Sequence, residues 1–289
     1  MGWRPPDLSD RVAVVTGASR GVGKGVALVL GECGATVYVT GRSTRAQAGL
    51  GPGTVDDTAD AVSSLGGRGV AVPTDHTDDA QVEALFERVR AEESRLDLLV
   101  GNAWGGYEQH DETFSDPFWK QPISRWDAMF TAGLRAQFTA ARLAARQMIE
   151  QRHGVIALTG GFDDLGSYLG TAPYDVVKTA AGRLVTAMAH ELRPFDVAAV
   201  GVYPGFTRTE AVVDAFAAEG REPPEDTHSP AFVGRAVASV FADPDVMRLS
   251  GTGAQAATYA RRYGFADVDG RVIAPFALPE EYRLGEQAF

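Results

Sequence analysis

An α/β fold, with a mostly parallel sheet covered by helices on both faces, is predicted by two features of the sequence. Short apolar runs alternate with helical stretches at the spacing of repeated βαβ units. The first apolar run, residues 12–15, is closed by a glycine-rich turn, Thr16-Gly17-Ala18-Ser19-Arg20-Gly21-Val22-Gly23. With right-handed crossovers, this alternation makes a single-domain, doubly wound Rossmann-type parallel sheet.

Strands are predicted over residues 11–17, 36–40, 70–72, 96–100, 155–159 and 197–203. Helices are predicted over 22–34, 54–65, 78–94, 131–151 and 172–192, several of them stopped by glycine. No linker, repeat or low-complexity tract interrupts the pattern, so residues 1–289 read as one dinucleotide-binding domain. Segments 104–122 and 206–229 break the alternation. Both follow strand ends on the carboxyl edge of the sheet, where ligands bind in such folds, and are candidates for a substrate wall and a lid.

Composition narrows the class. The 289 residues are 45% hydrophobic and 22% charged, as in ordinary globular chains. No apolar run approaches the roughly 18–20 residues needed to span a bilayer, and the N-terminus lacks the apolar stretch of a signal peptide. Cys33 is the sole cysteine, which excludes an intramolecular disulfide and a multi-cysteine metal site. The five histidines, among them His76 and His110, show no metal-ligand spacing. A net charge of −11 argues against a nucleic-acid surface. The expectation is a cytoplasmic protein acting on a small molecule, with neither nucleic acid nor membrane as partner.

Gly17, Gly21 and Gly23 sit where a strand turns into a helix, so backbone can approach a pyrophosphate and helix-end amides can hold it. The second strand ends Thr40-Gly41-Arg42-Ser43-Thr44-Arg45, without the acid that binds an unmodified ribose. Arg20 and Arg42 suit a 2′-phosphate instead, which favours NADP over NAD. Far downstream, Tyr174-Asp175-Val176-Val177-Lys178 puts a phenol and an ammonium one helical turn apart on one face.

These residues resemble the short-chain dehydrogenase/reductase superfamily. Beyond the glycine turn, the likeness includes Asp75 after the third strand, Asn102-Ala103 after the fourth, Tyr174-x-x-x-Lys178, and Pro204-Gly205 after the sixth. VYVTGR at 37–42, Gly133-Leu134-Arg135 and the tail motifs at 260–264 and 267–270 are similar to a subgroup typified by dehydrogenase/reductase family member 1. The resemblance implies Tyr174 as acid/base and Lys178 as the cation lowering its pKa and binding the nicotinamide ribose. It also implies a cofactor wall of Gly17, Ser19, Arg20, Gly21, Val22, Gly23, Arg42, Asp75, Asn102, Ala103, Tyr174 and Lys178. Pro204, Gly205, Thr207 and Thr209 complete that wall beside the carboxamide. A homodimer or homotetramer is implied through the two long helices.

Two polar helpers of that family are missing. Its serine stands thirteen residues before the tyrosine, and counting back from 174 gives Gly161. Its asparagine, which holds a relay water, falls at Gly133. Thr159, Asp163, Asp164, Ser167 and Tyr168 are the candidates to stand in, and Asp163 is placed with the catalytic group because a carboxylate would suit an amine or iminium substrate. Trp104, Tyr107, Phe114, Phe118, Trp119 and Trp126 could line an apolar pocket. The expected function is NADP(H)-dependent reduction of a carbonyl or imine on a bulky apolar molecule. The alternatives are a non-redox enzyme on the same scaffold (dehydratase, isomerase or cyclase) and a catalytically silent NADP-binding protein.

Overall fold

The computed structural model describes residues 2–47, 51–108, 112–161 and 168–277. Seven parallel strands form one sheet in the order β3-β2-β1-β4-β5-β6-β7. They are β1 (Val12–Val15), β2 (Thr36–Gly41), β3 (Arg68–Pro73), β4 (Leu98–Gly101), β5 (Gly154–Leu158), β6 (Val197–Tyr203) and β7 (Gly253–Gln255). The central strands are apolar throughout because both of their faces are covered.

The helices are α1 (Gly21–Glu32), α2 (Val55–Ser64), α3 (Asp79–Glu93), α4 (Ile123–Met129), α5 (Ala136–Gln151), α6 (Ala172–Leu192), α7 (Glu210–Ala218), α8 (Pro230–Ala242) and α9 (Ala256–Tyr263). Strand alternation separates two cores. Ala13 and Val15 pack with α1, α8 and α9, while Val12 and Val14 pack with α3, α5 and α6. Buried Asp97 ties the entry of β4 to that of β1 by accepting from the Val12 amide at 3.0 Å and from Arg95 Nε at 2.8 Å. Burial opposes its ionisation, but His153, Arg95 and the amide outweigh it and hold the carboxyl well below the usual range.

Three differences from the expected elements matter. The helix predicted over 131–151 begins earlier: Ile123 to Gln151 is nearly continuous, with a widened π-turn over Phe130–Arg135 that contains Gly133. Its first turns escape pattern reading because Ile123 and Trp126 are exposed. Segment 206–229 contains α7. The seventh strand, Gly-Ala-Gln, is too short and unbranched to announce itself.

Strand order reverses between β1 and β4, so their carboxyl ends open a crevice. No described helix is long and apolar enough to cross a membrane.

Candidate active site

A cavity of about 340 Å³ occupies this crevice. Its walls include Gly17, Ser19, Arg20, Gly21, Val22, Arg42, Asp75, Asn102, Ala103, Tyr174, Lys178, Pro204 and Thr209. The expected dinucleotide turn and the distant tyrosine–lysine pair therefore meet in one place. Gly23, Gly205 and Thr207 do not line the cavity. A Cβ at Gly23 would lie 2.3 Å from the Gly17 carbonyl and 2.5 Å from Asn102 Nδ2, so that glycine lets α1 approach β1. Asp163, with Asp164, Ser167 and His110, lies outside the described residues.

The phosphate end is built from backbone. Gly17 and Gly21 take positive φ, and the Gly21 amide at the start of α1 donates to Glu210 Oε2 at 2.8 Å. A carboxylate thus sits where helix-end amides present positive charge, and the same amides suit a phosphate oxygen. Asn102 has a tethering role: its amide nitrogen donates to the Thr16 and Gly17 carbonyls, and its Oδ1 accepts from Thr159 Oγ1 at 2.9 Å. That bond also commits Thr159, one candidate replacement hydroxyl.

The two arginines differ. Arg20 Nη1 is buried without a hydrogen-bond partner, as fits a site awaiting an anion. Arg42 is engaged with Glu108 from the loop after β4, which raises its basicity. Asp75 Oδ1 accepts from the Thr77 amide and hydroxyl at 2.9 and 2.7 Å. Beside it, His76 Nε2 meets Thr40 Oγ1 at 2.7 Å, and burial pushes this imidazole down to about 4. Thr40 donates to the Val15 carbonyl, so His76 carries its proton on Nε2 and turns a bare Nδ1 into the protein. Pattern reading gave His76 no place here.

At the other end, Lys178 Nζ rests 3.9 Å from the Trp104 ring centroid and 5.2 Å from that of Tyr174. Trp104 meets Tyr174 edge-on, at 5.7 Å and 86°. The indole also explains Gly133: a Cβ there would lie 2.6 Å from Trp104 Cζ3. Space that the resemblance assigns to an asparagine side chain is filled by an aromatic ring. Tyr107 stacks on Tyr174, with centroids 5.9 Å apart and planes 25° from parallel. Burial first, then the Tyr174 phenol, push Tyr107 well above the usual phenol range.

The two glycines after β5 have different surroundings. Counting back from Tyr174 selects Gly161, but a Cβ on Gly161 would point into Tyr203, 2.4 Å from Cε1, and the residue has φ +140°. Gly160 faces the cluster instead. Its Cβ would stand 3.8 Å from Lys178 Nζ and 3.5 Å from Gln137 Nε2. Sequence reading also missed Gln137 and Glu210, both in the cavity wall. The one available signal for Gln137 was its position a helical turn after Gly133.

The aromatic segment is anchored from beneath. Arg125 is buried, donates to the Thr113 carbonyl at 2.8 Å and lies over Phe114. Gln121 Nε2 donates to the Asp116 carbonyl at 2.6 Å and to Thr171 Oγ1 at 2.9 Å, joining the segment to the start of α6. Phe118 and Trp119 remain exposed and line no described part of the cavity.

A dinucleotide-type turn, an anion-ready helix end and a tyrosine–lysine pair in one crevice define a nicotinamide-dependent oxidoreductase. Residues 11–220 match the short chain dehydrogenase family, and the chain belongs to it. It is 37% identical over 282 residues to dehydrogenase/reductase SDR family member 1 of Mus musculus, covering 93% of this chain and 87% of that one. Among solved structures it is similar to a short-chain type dehydrogenase/reductase from Mycobacterium marinum, at 26% identity and TM-score 0.70, covering 86% and 94% of the two chains. Another similar structure is a metagenomic short-chain oxidoreductase in complex with NADP, at 25% identity and TM-score 0.67, covering 86% and 96%.

Proposed function

We propose that this chain is an NADP(H)-dependent oxidoreductase that reduces a carbonyl or imine on a bulky, apolar small molecule. The observation that carries the reading is the convergence of Tyr174 and Lys178 on the cavity that also receives the amino end of α1. The bound cofactor would supply the hydride. Gly17, Ser19, Gly21 and Val22 would hold its pyrophosphate, and unpartnered Arg20 favours a 2′-phosphate.

Tyr174 delivers the proton to the substrate heteroatom, with the Lys178 ammonium 5.2 Å from the centroid of its ring. Tyr107 stays protonated beside it. Trp104, Tyr107 and Phe114 make the substrate wall apolar, which selects a bulky hydrocarbon frame.

Single-turnover NADPH oxidation against a panel of ketones and imines tests this reading. Tyr174→Phe is expected to be about 10²–10⁴-fold slower, and equal rates refute the role of Tyr174. Tighter binding of NADH than NADPH refutes the cofactor choice. The missing serine hydroxyl favours one second reading, a non-redox acid–base enzyme on the same scaffold. Product formed without loss of NADPH absorbance would identify it.

We further infer that the chain is cytoplasmic and assembles as a homodimer or homotetramer through α5 and α6. Phe138 of α5 is half exposed beside an apolar groove that also includes Leu134 and Leu184.

A further inference from the structure

Two polar positions of the family are vacant here, and they are vacant in different ways. Beside Gly133 the space is full, because Trp104 occupies it. Beside Gly160 a side chain would meet only ordinary contacts, with Gln137 Nε2 at 3.5 Å and Ala181 Cβ and Lys178 Nζ at 3.8 Å. Gln137 stands four residues after Gly133, on the same face of the helix, and reaches the same cluster from below. It is 4% exposed, and its Oε1 is buried with no hydrogen-bond partner.

A buried amide left unpaired costs about 1–3 kcal/mol, so its persistence in a cavity wall points to a ligand that completes it. Other polar groups nearby are less suited. Thr159 Oγ1 is committed to Asn102. Trp104 Nε1 also lacks a partner, but an indole can only donate.

We propose that Gln137 replaces the missing serine hydroxyl, its carboxamide hydrogen-bonding the substrate's reacting heteroatom opposite Tyr174. This rests on the reading of Tyr174 as the proton donor. A carboxamide carries both a donor and an acceptor. It serves a carbonyl oxygen through N–H and an iminium N–H through its oxygen.

The test uses NADPH-saturated protein and 1-naphthamide, an apolar carbonyl compound that is not reduced, titrated by calorimetry. Gln137→Leu is expected to weaken naphthamide about tenfold or more while leaving the Kd for NADPH within about twofold. In the Gln137→Leu/Gly160→Ser double variant, the new hydroxyl is expected to recover most of that loss. Unchanged naphthamide affinity in Gln137→Leu overturns the proposal, and so does absence of naphthamide binding to the unmodified protein. Loss of NADPH affinity in step with naphthamide also overturns it, since Gln137 would then be a structural support. If Tyr174→Phe turns over substrate at the unmodified rate while Gln137→Leu still loses naphthamide, the redox reading fails and the ligand contact stands.

Discussion

The difference between Gly160 and Gly161 decides how the missing serine is understood. Gly161 is a glycine because Tyr203 and a positive φ leave no room for a side chain. Gly160 has ordinary van der Waals clearance and no positive φ. Gly161→Ser is therefore expected to destabilise the fold by about 1–3 kcal/mol in denaturant titration. Gly160→Ser is expected to leave stability within about 0.5 kcal/mol and to raise ketone reduction. Equal stability of the two variants would contradict this assignment. Residue types and their spacing made Tyr174, Lys178 and most of the phosphate turn legible in the sequence. Which glycine adjoins Lys178 and which adjoins Tyr203 was not legible, because that turns on backbone direction, which composition does not record. Trp104 filling the space beside Gly133 was equally hidden, since a space-filling contact across 29 positions leaves no periodic trace.

His76 adds a pH dependence at the same scale. Its imidazole is held down to about 4 by burial, against an ordinary value of 6.5 in the unfolded chain. As pH falls from 6.5 toward 4, the unfolded state takes up a proton that the folded state refuses. Stability from this residue is therefore full above pH 6.5 and is lost as pH falls to about 4, by roughly 3 kcal/mol. Urea titrations across that window are expected to show a shallower decline for His76→Gln than for the unmodified chain. Parallel curves would contradict it.

At the scale of elements, α7 and the helical rod of α4 and α5 define the mouth of the site. The Glu210 carboxylate on the Gly21 amide holds the first turn of α7 against the phosphate end. A phosphate entering there must displace an anion that gains about 0.3–1 kcal/mol from the helix end. Glu210→Gln is accordingly expected to lower the Kd for NADPH by about two- to fivefold in fluorescence titration. A weakened Kd would mean that Glu210 belongs to the bound site. Arg125 fastens the aromatic segment from α4, and Arg125→Ala is expected to cost about 2–4 kcal/mol, because buried carbonyls lose their donor. Neither contact was legible in the sequence, where segments 104–122 and 206–229 stood out only as interruptions of a regular pattern.

Across the whole molecule, the alternation of buried strands and amphipathic helices was legible and gave the parallel, doubly covered sheet. The short seventh strand was not, because three small or polar residues carry no β signature of their own. That sheet brings residues some 150 positions apart into one crevice, so the central claim concerns what the crevice does with a hydride and a proton. Light scattering is expected to show a dimer or tetramer that Phe138→Arg dissociates, but catalysis is the sharper question. The direct measurement follows deuterium from C4-labelled NADPH during a single turnover with the best substrate of the ketone and imine panel. The account predicts label on the substrate's former carbonyl or imine carbon, with transfer at least about a hundredfold slower in Tyr174→Phe. Unlabelled product, or transfer at the same rate in the variant, would contradict it.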